Sequence, residues 1–116
     1  MQVNVCDDAA YFQRATAEIL AQVDYLDAAV VAAALMRLEL RDGYVGRGYA
    51  LSRTEELVLL RDVCRGSGLV LDPVYTGKAF FGMASELGRD PRSLGERVVF
   101  VHTGGMHDRQ LWAEHD

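Results

Sequence analysis

Lysine is nearly missing from this chain: Lys78 is the only one in 116 residues. The other bases are arginines scattered along the sequence, and 17 acids against 12 bases leave a net charge of −5. Phosphate contacts need clustered Lys or Arg, so a general nucleic-acid binder is excluded. The same scarcity excludes an anionic-membrane binder. Cysteine is scarce too. Cys6 and Cys64 are too few and too far apart for a disulfide scaffold or a zinc ribbon, which points to reduced thiols in a cytoplasmic protein. The longest apolar run, Ala28 to Met36, is about half of a membrane span. The start, MQVNVCDD, has no basic n-region and no apolar h-region, so no signal peptide is expected.

What remains is an ordinary globular composition, half apolar and a quarter charged. A chain of this length makes one domain and buries roughly 65 % of its unfolded surface. Residues 1–116 show no repeat, low-complexity stretch or linker, and so read as a single unit.

The periodicity predicts strands and helices in alternation. Gln2–Cys6 suits a short strand, and Asp7 or Asp8 can cap the helix after it. Phe12, Ala15, Ile19, Val23 and Leu26 recur at spacings of three and four, which places them on one helical face. Ala28–Leu40 begins as an Ala-rich helix, but Leu38 and Leu40 alternate as a strand would. DGYVGRGY (residues 42–49) is a turn-rich loop. Ser52-Arg53-Thr54-Glu55 matches a capping box opening a helix that carries Leu57, Leu60 and Cys64 inward and stops at Gly66-Ser67-Gly68. Leu69–Leu71 suits a strand, Asp72-Pro73 breaks it, and Thr76-Gly77 opens another helix. Arg97–His102 (RVVFVH) has the composition of a buried strand.

This order implies an α/β fold: three layers, with a small, mainly parallel sheet and flanking helices. Three strands leave sheet edges and helix faces uncovered, so the chain is expected to complete itself on another segment or a second copy.

Two stretches could carry chemistry. LVLDPVYTGKAFFGM (69–83) reads as strand, proline turn and helix start, where free backbone N–H groups and the helix dipole favour an anionic ligand group. Tyr75 and Thr76 lie at that edge; equally, Thr76 could cap the helix and Tyr75 pack. RVVFVHTGG (97–105) places Thr103 and Gly104 beyond the carboxyl end of a strand, where open α/β sheets bind ligands. Other candidates have plainer readings. His102, His107 and His115 with Asp108, Glu114 and Asp116 match no metal-ligand spacing, so no metal site is expected. The glycines of DGYVGRGY lack a following lysine and read as turn geometry.

Four blocks taken together, VNVCDDAAYF, DGYVGRGYAL, LDPVYTGKA and FVHTGG, resemble one enzyme group in the same order. It is the fold-type II pyridoxal-phosphate enzymes that include D-cysteine desulfhydrase and 1-aminocyclopropane-1-carboxylate deaminase. The likeness runs from about Val3 to Gly105 and covers the carboxyl-terminal part of such enzymes, with part of their large domain as the implied fold. After Gly105 it stops, leaving residues 106–116 as a divergent tail.

The resemblance implies roles for individual residues. Tyr75 matches a catalytic tyrosine beside cofactor and substrate. Thr76 matches a cofactor-binding position that is Glu in the deaminases and Thr in the desulfhydrases. Thr103 and Gly104 match the turn approaching the pyridine ring. The cofactor implied is pyridoxal 5'-phosphate in the complete enzyme, with a small amino acid as substrate. Lys78 matches a lysine that the family carries besides its Schiff-base lysine, so a structural or surface role is expected. The Schiff-base lysine and phosphate loop belong upstream, so the segment is expected to be inactive alone. D-cysteine elimination is the implied activity. A deaminase or L-cysteate sulfo-lyase segment, or a non-catalytic binding and oligomerisation module, are the alternatives.

Overall fold

The computed structural model describes residues 1–105. Its elements are β1 (Gln2–Val3), α1 (Ala9–Ala21), α2 (Ala28–Arg37), β2 (Leu40–Arg41), α3 (Thr54–Ser67) and α4 (Thr76–Arg89). The α/β class holds, but the sheet is smaller and built differently from the expected one. It has two parallel strands, with Gln2 opposite Leu40 and Val3 opposite Arg41. Gln2 N–H donates to Glu39 O at 2.7 Å and Asn4 N–H to Arg41 O at 2.9 Å. The alternation at Leu38 and Leu40 therefore marked a real strand. Residues 69–71 and 97–102 form none, because among the described residues no segment lies alongside to complete a ladder. Two strands and their helices do not make three layers.

Local chemistry explains the helix starts. Asp8 and Asp27 accept from the N–H groups of Tyr11 and Val30, each at 2.8 Å, capping α1 and α2. The capping box at α3 is shifted by one residue from the expected one. Arg53 is the N-cap, and Glu56, not Glu55, reaches back to its N–H at 2.8 Å. Ser52 instead donates to the Pro73 carbonyl at 3.2 Å, tying α3 to the turn before α4. Gly68, at φ +74°, ends α3 in the left-handed conformation.

The interior is small and polar. Leu60, Leu71, Val74 and Tyr44 are its apolar members, yet Lys78, Glu56 and Asn4 are among its most deeply buried large side chains. Gly77 lets α3 and α4 touch: a Cβ there would lie 2.5 Å from both the Asp72 carbonyl and Leu60 Cδ2. By contrast, α1 and α2 hold no buried residue, and on the apolar stripe of α1 Phe12 and Ala15 are half-buried while Ile19 is 64 % exposed. No helix among the described residues is long and apolar enough to cross a membrane.

Candidate functional site

The turn before α4 is organised by a carboxylate whose sequence context suggests only a chain break. Asp72 accepts from the N–H groups of Val74 at 2.9 Å, Tyr75 at 2.6 Å and Thr76 at 2.9 Å, and from the Thr76 hydroxyl. Its own N–H donates to Thr76 Oγ1 at 2.9 Å, and its carbonyl takes the Gly77 N–H at 2.7 Å. Burial would raise the Asp72 pKa, but the Thr76 hydroxyl and the three backbone donors outweigh it and hold the carboxyl below its ordinary value. The four N–H groups from Val74 to Gly77 are thus already partnered. The expectation of an anion site at this helix start is corrected accordingly: Asp72 occupies the place where an anionic ligand group would bind.

Tyr75 comes next at the edge, 46 % exposed. Its hydroxyl meets that of Tyr49 at 2.6 Å, with the rings edge-to-face and their centroids 5.9 Å apart. The bond to Tyr49 is the main reason that the Tyr75 pKa lies above the ordinary tyrosine value, so the phenol stays protonated at neutral pH. Tyr49 was missed as a site residue. Its signal in the sequence was an aromatic residue at the end of a glycine-rich loop.

The turn after residues 97–102 packs back on this unit. His102 Nδ1 accepts the Gly104 N–H at 3.2 Å, which leaves the proton on Nε2 to donate to Val70 O at 2.8 Å. A Cβ on Gly105 would lie 2.7 Å from Asp72 Cβ, so the glycine turn rests directly against the Asp72 carboxyl. His102 is therefore a structural tie. The other histidines and acids weighed with it, from His107 onward, lie outside the described residues. Among the described residues no group of three His, Cys, Asp or Glu could hold a metal.

Beside this unit lies a half-open cavity of about 910 Å³. Tyr75, Thr76 and Thr103 all line it, with the apolar Val3, Phe12, Met83 and Val101 and the charged Arg37, Glu39 and Arg97. Three of the four expected site residues are thereby brought together. Gly104 is not part of the lining; its contribution is the backbone bond to His102.

Lys78 is a structural lysine and not a surface one. It is 1 % exposed, and its Nζ donates to the carbonyls of Val45 at 2.5 Å, Gly48 at 2.7 Å and Leu51 at 3.0 Å. All three ammonium donors are used. Burial lowers its pKa, with Arg53 acting in the same direction and the nearby Glu56 carboxylate opposing both.

An open cavity at a helix start, lined by an aromatic ring, two threonines and a mixture of apolar and charged side chains, has the character of a small-molecule site. Comparison with known proteins sharpens that class. No family model matches. The chain is 36 % identical over 104 residues to the bifunctional D-cysteine desulfhydrase/1-aminocyclopropane-1-carboxylate deaminase of Arabidopsis thaliana mitochondria, covering 89 % of this chain and 24 % of that protein. It is 43 % identical over 68 residues to a Thermotoga maritima protein provisionally named a 1-aminocyclopropane-1-carboxylate deaminase, covering 59 % and 20 %. It is 32 % identical over 71 residues to a Yersinia pestis D-cysteine desulfhydrase, covering 61 % and 22 %. The chain belongs to the D-cysteine desulfhydrase and 1-aminocyclopropane-1-carboxylate deaminase family. It spans about a quarter or less of the length of these relatives, consistent with a carboxyl-terminal portion.

Proposed function

We propose that this chain forms one wall of the cofactor and substrate pocket of a pyridoxal-phosphate-dependent lyase, with D-cysteine as the preferred substrate. The observation that supports this most is the convergence of Tyr75, Thr76 and Thr103 on one cavity. Its volume of about 910 Å³ lies within the range of about 300–1,000 Å³ usual for small-molecule sites. A flat heteroaromatic ring suits the apolar part of its lining, Val3, Phe12 and Met83, beside Tyr75. The phosphate does not suit the start of α4, whose amides are held by Asp72, so its contacts come from the remainder of the enzyme.

When bound, pyridoxal phosphate supplies the electron sink that carries the charge left by removal of the substrate's α-proton. The residues of this chain tune that sink and supply a proton donor. Thr76 donates its hydroxyl proton to Asp72, so what it offers a ring nitrogen is a lone pair backed by a carboxylate one bond away. That supports a protonated nitrogen less strongly than a carboxylate in direct contact would. The setting favours elimination of a good leaving group over ring opening. Tyr75, kept protonated and backed by Tyr49, donates its proton to the departing sulfur. D-cysteine and water then yield pyruvate, hydrogen sulfide and ammonia. L-cysteate and 1-aminocyclopropane-1-carboxylate are the alternative substrates.

The remainder of the pocket comes from a complementary amino-terminal segment, with a second copy as the alternative partner. The segment 97–102 supports this reading, since Val99 and Val101 are 86 % and 74 % exposed on a stretch with strand composition and no ladder. A purely associative module without catalysis rests on the same observation. Free thiols at Cys6 and Cys64 suit a reducing, cytoplasmic setting.

The test is Tyr75→Phe in the enzyme completed with a compatible amino-terminal half. Loss of about 10²–10⁴-fold in kcat with a nearly unchanged KM is expected for a lost proton donor. Unchanged kcat would remove Tyr75 from the chemistry.

A further inference from the structure

We propose that Lys78 is a positioning residue for the tyrosine pair: its ammonium fills a cation site made by three loop carbonyls and thereby holds Tyr49 against Tyr75. The relevance of that pair to chemistry rests on the reading of Tyr75 above, but the positioning itself does not.

Tyr49 lies inside the stretch that Lys78 grips. Gly48 and Leu51, whose carbonyls accept two of the three bonds, flank it closely, and Val45 supplies the third. The backbone between them is unusual. Ala50, next to Tyr49, has φ +56°, the only positive φ among the described non-glycine residues, and Gly46 and Gly48 are positive as well. Such a path persists only where its surroundings hold it. The loop's own closure is a single backbone bond, Leu51 N–H to Gly48 O at 3.2 Å. Ser52, at its far end, is tied to the Pro73 carbonyl, and the ammonium holds the stretch from Val45 to Leu51.

The other end of the link is equally fixed. Lys78 is the third residue of α4, and Tyr75 is the N-cap of the same helix. Any movement of Lys78 relative to Tyr75 would distort the first turn, which Asp72 holds in place. Beside the Ser52–Pro73 bond, Lys78 thus carries the Tyr75 frame across to the Tyr49 loop, and the two hydroxyls meet at 2.6 Å.

Helix geometry does not ask for a lysine at this position. A buried ammonium is costly unless every donor is satisfied, and an apolar side chain would fill the space at less cost. The charged groups facing Lys78 are Glu56, whose Oε1 is buried without a hydrogen-bond partner, and Arg53. Neither bonds the ammonium directly. The three carbonyls are what retain it.

The 116-residue chain without cofactor allows a direct test, because it contains one lysine and five tyrosines. With ¹⁵N-labelled lysine, the single ammonium signal is expected to exchange slowly with water and to titrate below the usual lysine value of about 10.4. With ring-labelled tyrosine, assigned through Tyr→Phe variants and observed near pH 7, where Lys78 is charged, the Tyr75 ring signals are expected to shift in Tyr49→Phe as the 2.6 Å hydroxyl contact is lost. Lys78→Met, of similar length but uncharged, should give the same shift, with no additional change when combined with Tyr49→Phe. In Lys78→Ala, added propylammonium should restore the parent signals and propanol should not. A freely exchanging ammonium with an ordinary titration overturns the proposal whatever the variants do. So does a folded Lys78→Met in which Tyr75 still responds to Tyr49→Phe as in the parent chain. If Lys78→Met does not fold, the ammonium signal alone decides. Because no cofactor or turnover is involved, the pocket reading and this one fail separately.

Discussion

The hydroxyl of Thr76 donates to the carboxylate of Asp72, and the same carboxylate receives the amide hydrogens of Val74, Tyr75 and Thr76. This pair links fold and site, because the carboxylate that holds the start of α4 also fixes the side chain of Thr76, a residue that lines the cavity. Asp72→Ala would leave these donors without a partner and is expected to destabilise the chain by about 1–3 kcal/mol. A shift of the urea midpoint at unchanged slope would register it.

Asp72 also gives stability a pH dependence of known sign. Its carboxyl is held below the ordinary value in the folded chain. The folded state therefore binds this proton less readily than the unfolded one, so the stabilisation is complete above the unfolded pKa of about 3.9. It is lost as pH falls from there through the depressed folded value. Urea midpoints measured from about pH 6 down to about pH 3 should fall more steeply in the parent chain than in Asp72→Asn. Parallel curves would contradict the assignment.

Two glycines of α4 should respond in opposite directions to the same substitution. Gly77→Ala places a Cβ 2.5 Å from the Asp72 carbonyl and from Leu60 Cδ2. Overpacking against backbone is expected to cost about 1–3 kcal/mol. Gly88 has nothing within 4 Å of its Cβ position, so Gly88→Ala should stabilise by up to about 1 kcal/mol through helix propensity. Thermal midpoints moving the same way would contradict the described packing of α3 on α4.

Lys78 should remain free of cofactor. Its amine donates to three carbonyls and is 1 % exposed, so it is neither accessible nor available as a nucleophile. After incubation of the 116-residue chain with pyridoxal phosphate and reduction with borohydride, peptide mass spectrometry is expected to find Lys78 unmodified. Stoichiometric labelling of Lys78 would require a different structure for the 45–51 loop.

Much of this was legible in the sequence where local chemistry decides. Asp8, one of the two expected caps, starts its helix, and α4 begins at Thr76; Tyr75, Thr76 and Thr103, singled out on separate stretches, line one cavity, a proximity that sequence order alone does not require. The strands expected at 69–71 and 97–102 are not formed, because a strand exists only against a partner and none lies among the described residues. Asp72 looked like half of an Asp-Pro break; its role depends on four donors gathered by the folded turn. Lys78 lay one turn into a helix with no sequence signal of burial, since its partners are backbone carbonyls about thirty residues earlier. Tyr49 reached Tyr75 only through that same loop.

The most direct measurement is a substrate comparison in the enzyme completed with a compatible amino-terminal half. Initial rates for D-cysteine, L-cysteate and 1-aminocyclopropane-1-carboxylate would be taken side by side, with Thr76 intact and with Thr76→Glu. The expected result is the highest kcat/KM for D-cysteine with Thr76 intact, and a shift toward the cyclic substrate with Thr76→Glu. Faster turnover of 1-aminocyclopropane-1-carboxylate than of D-cysteine with Thr76 intact would contradict the reading of the Thr76–Asp72 pair as an elimination site.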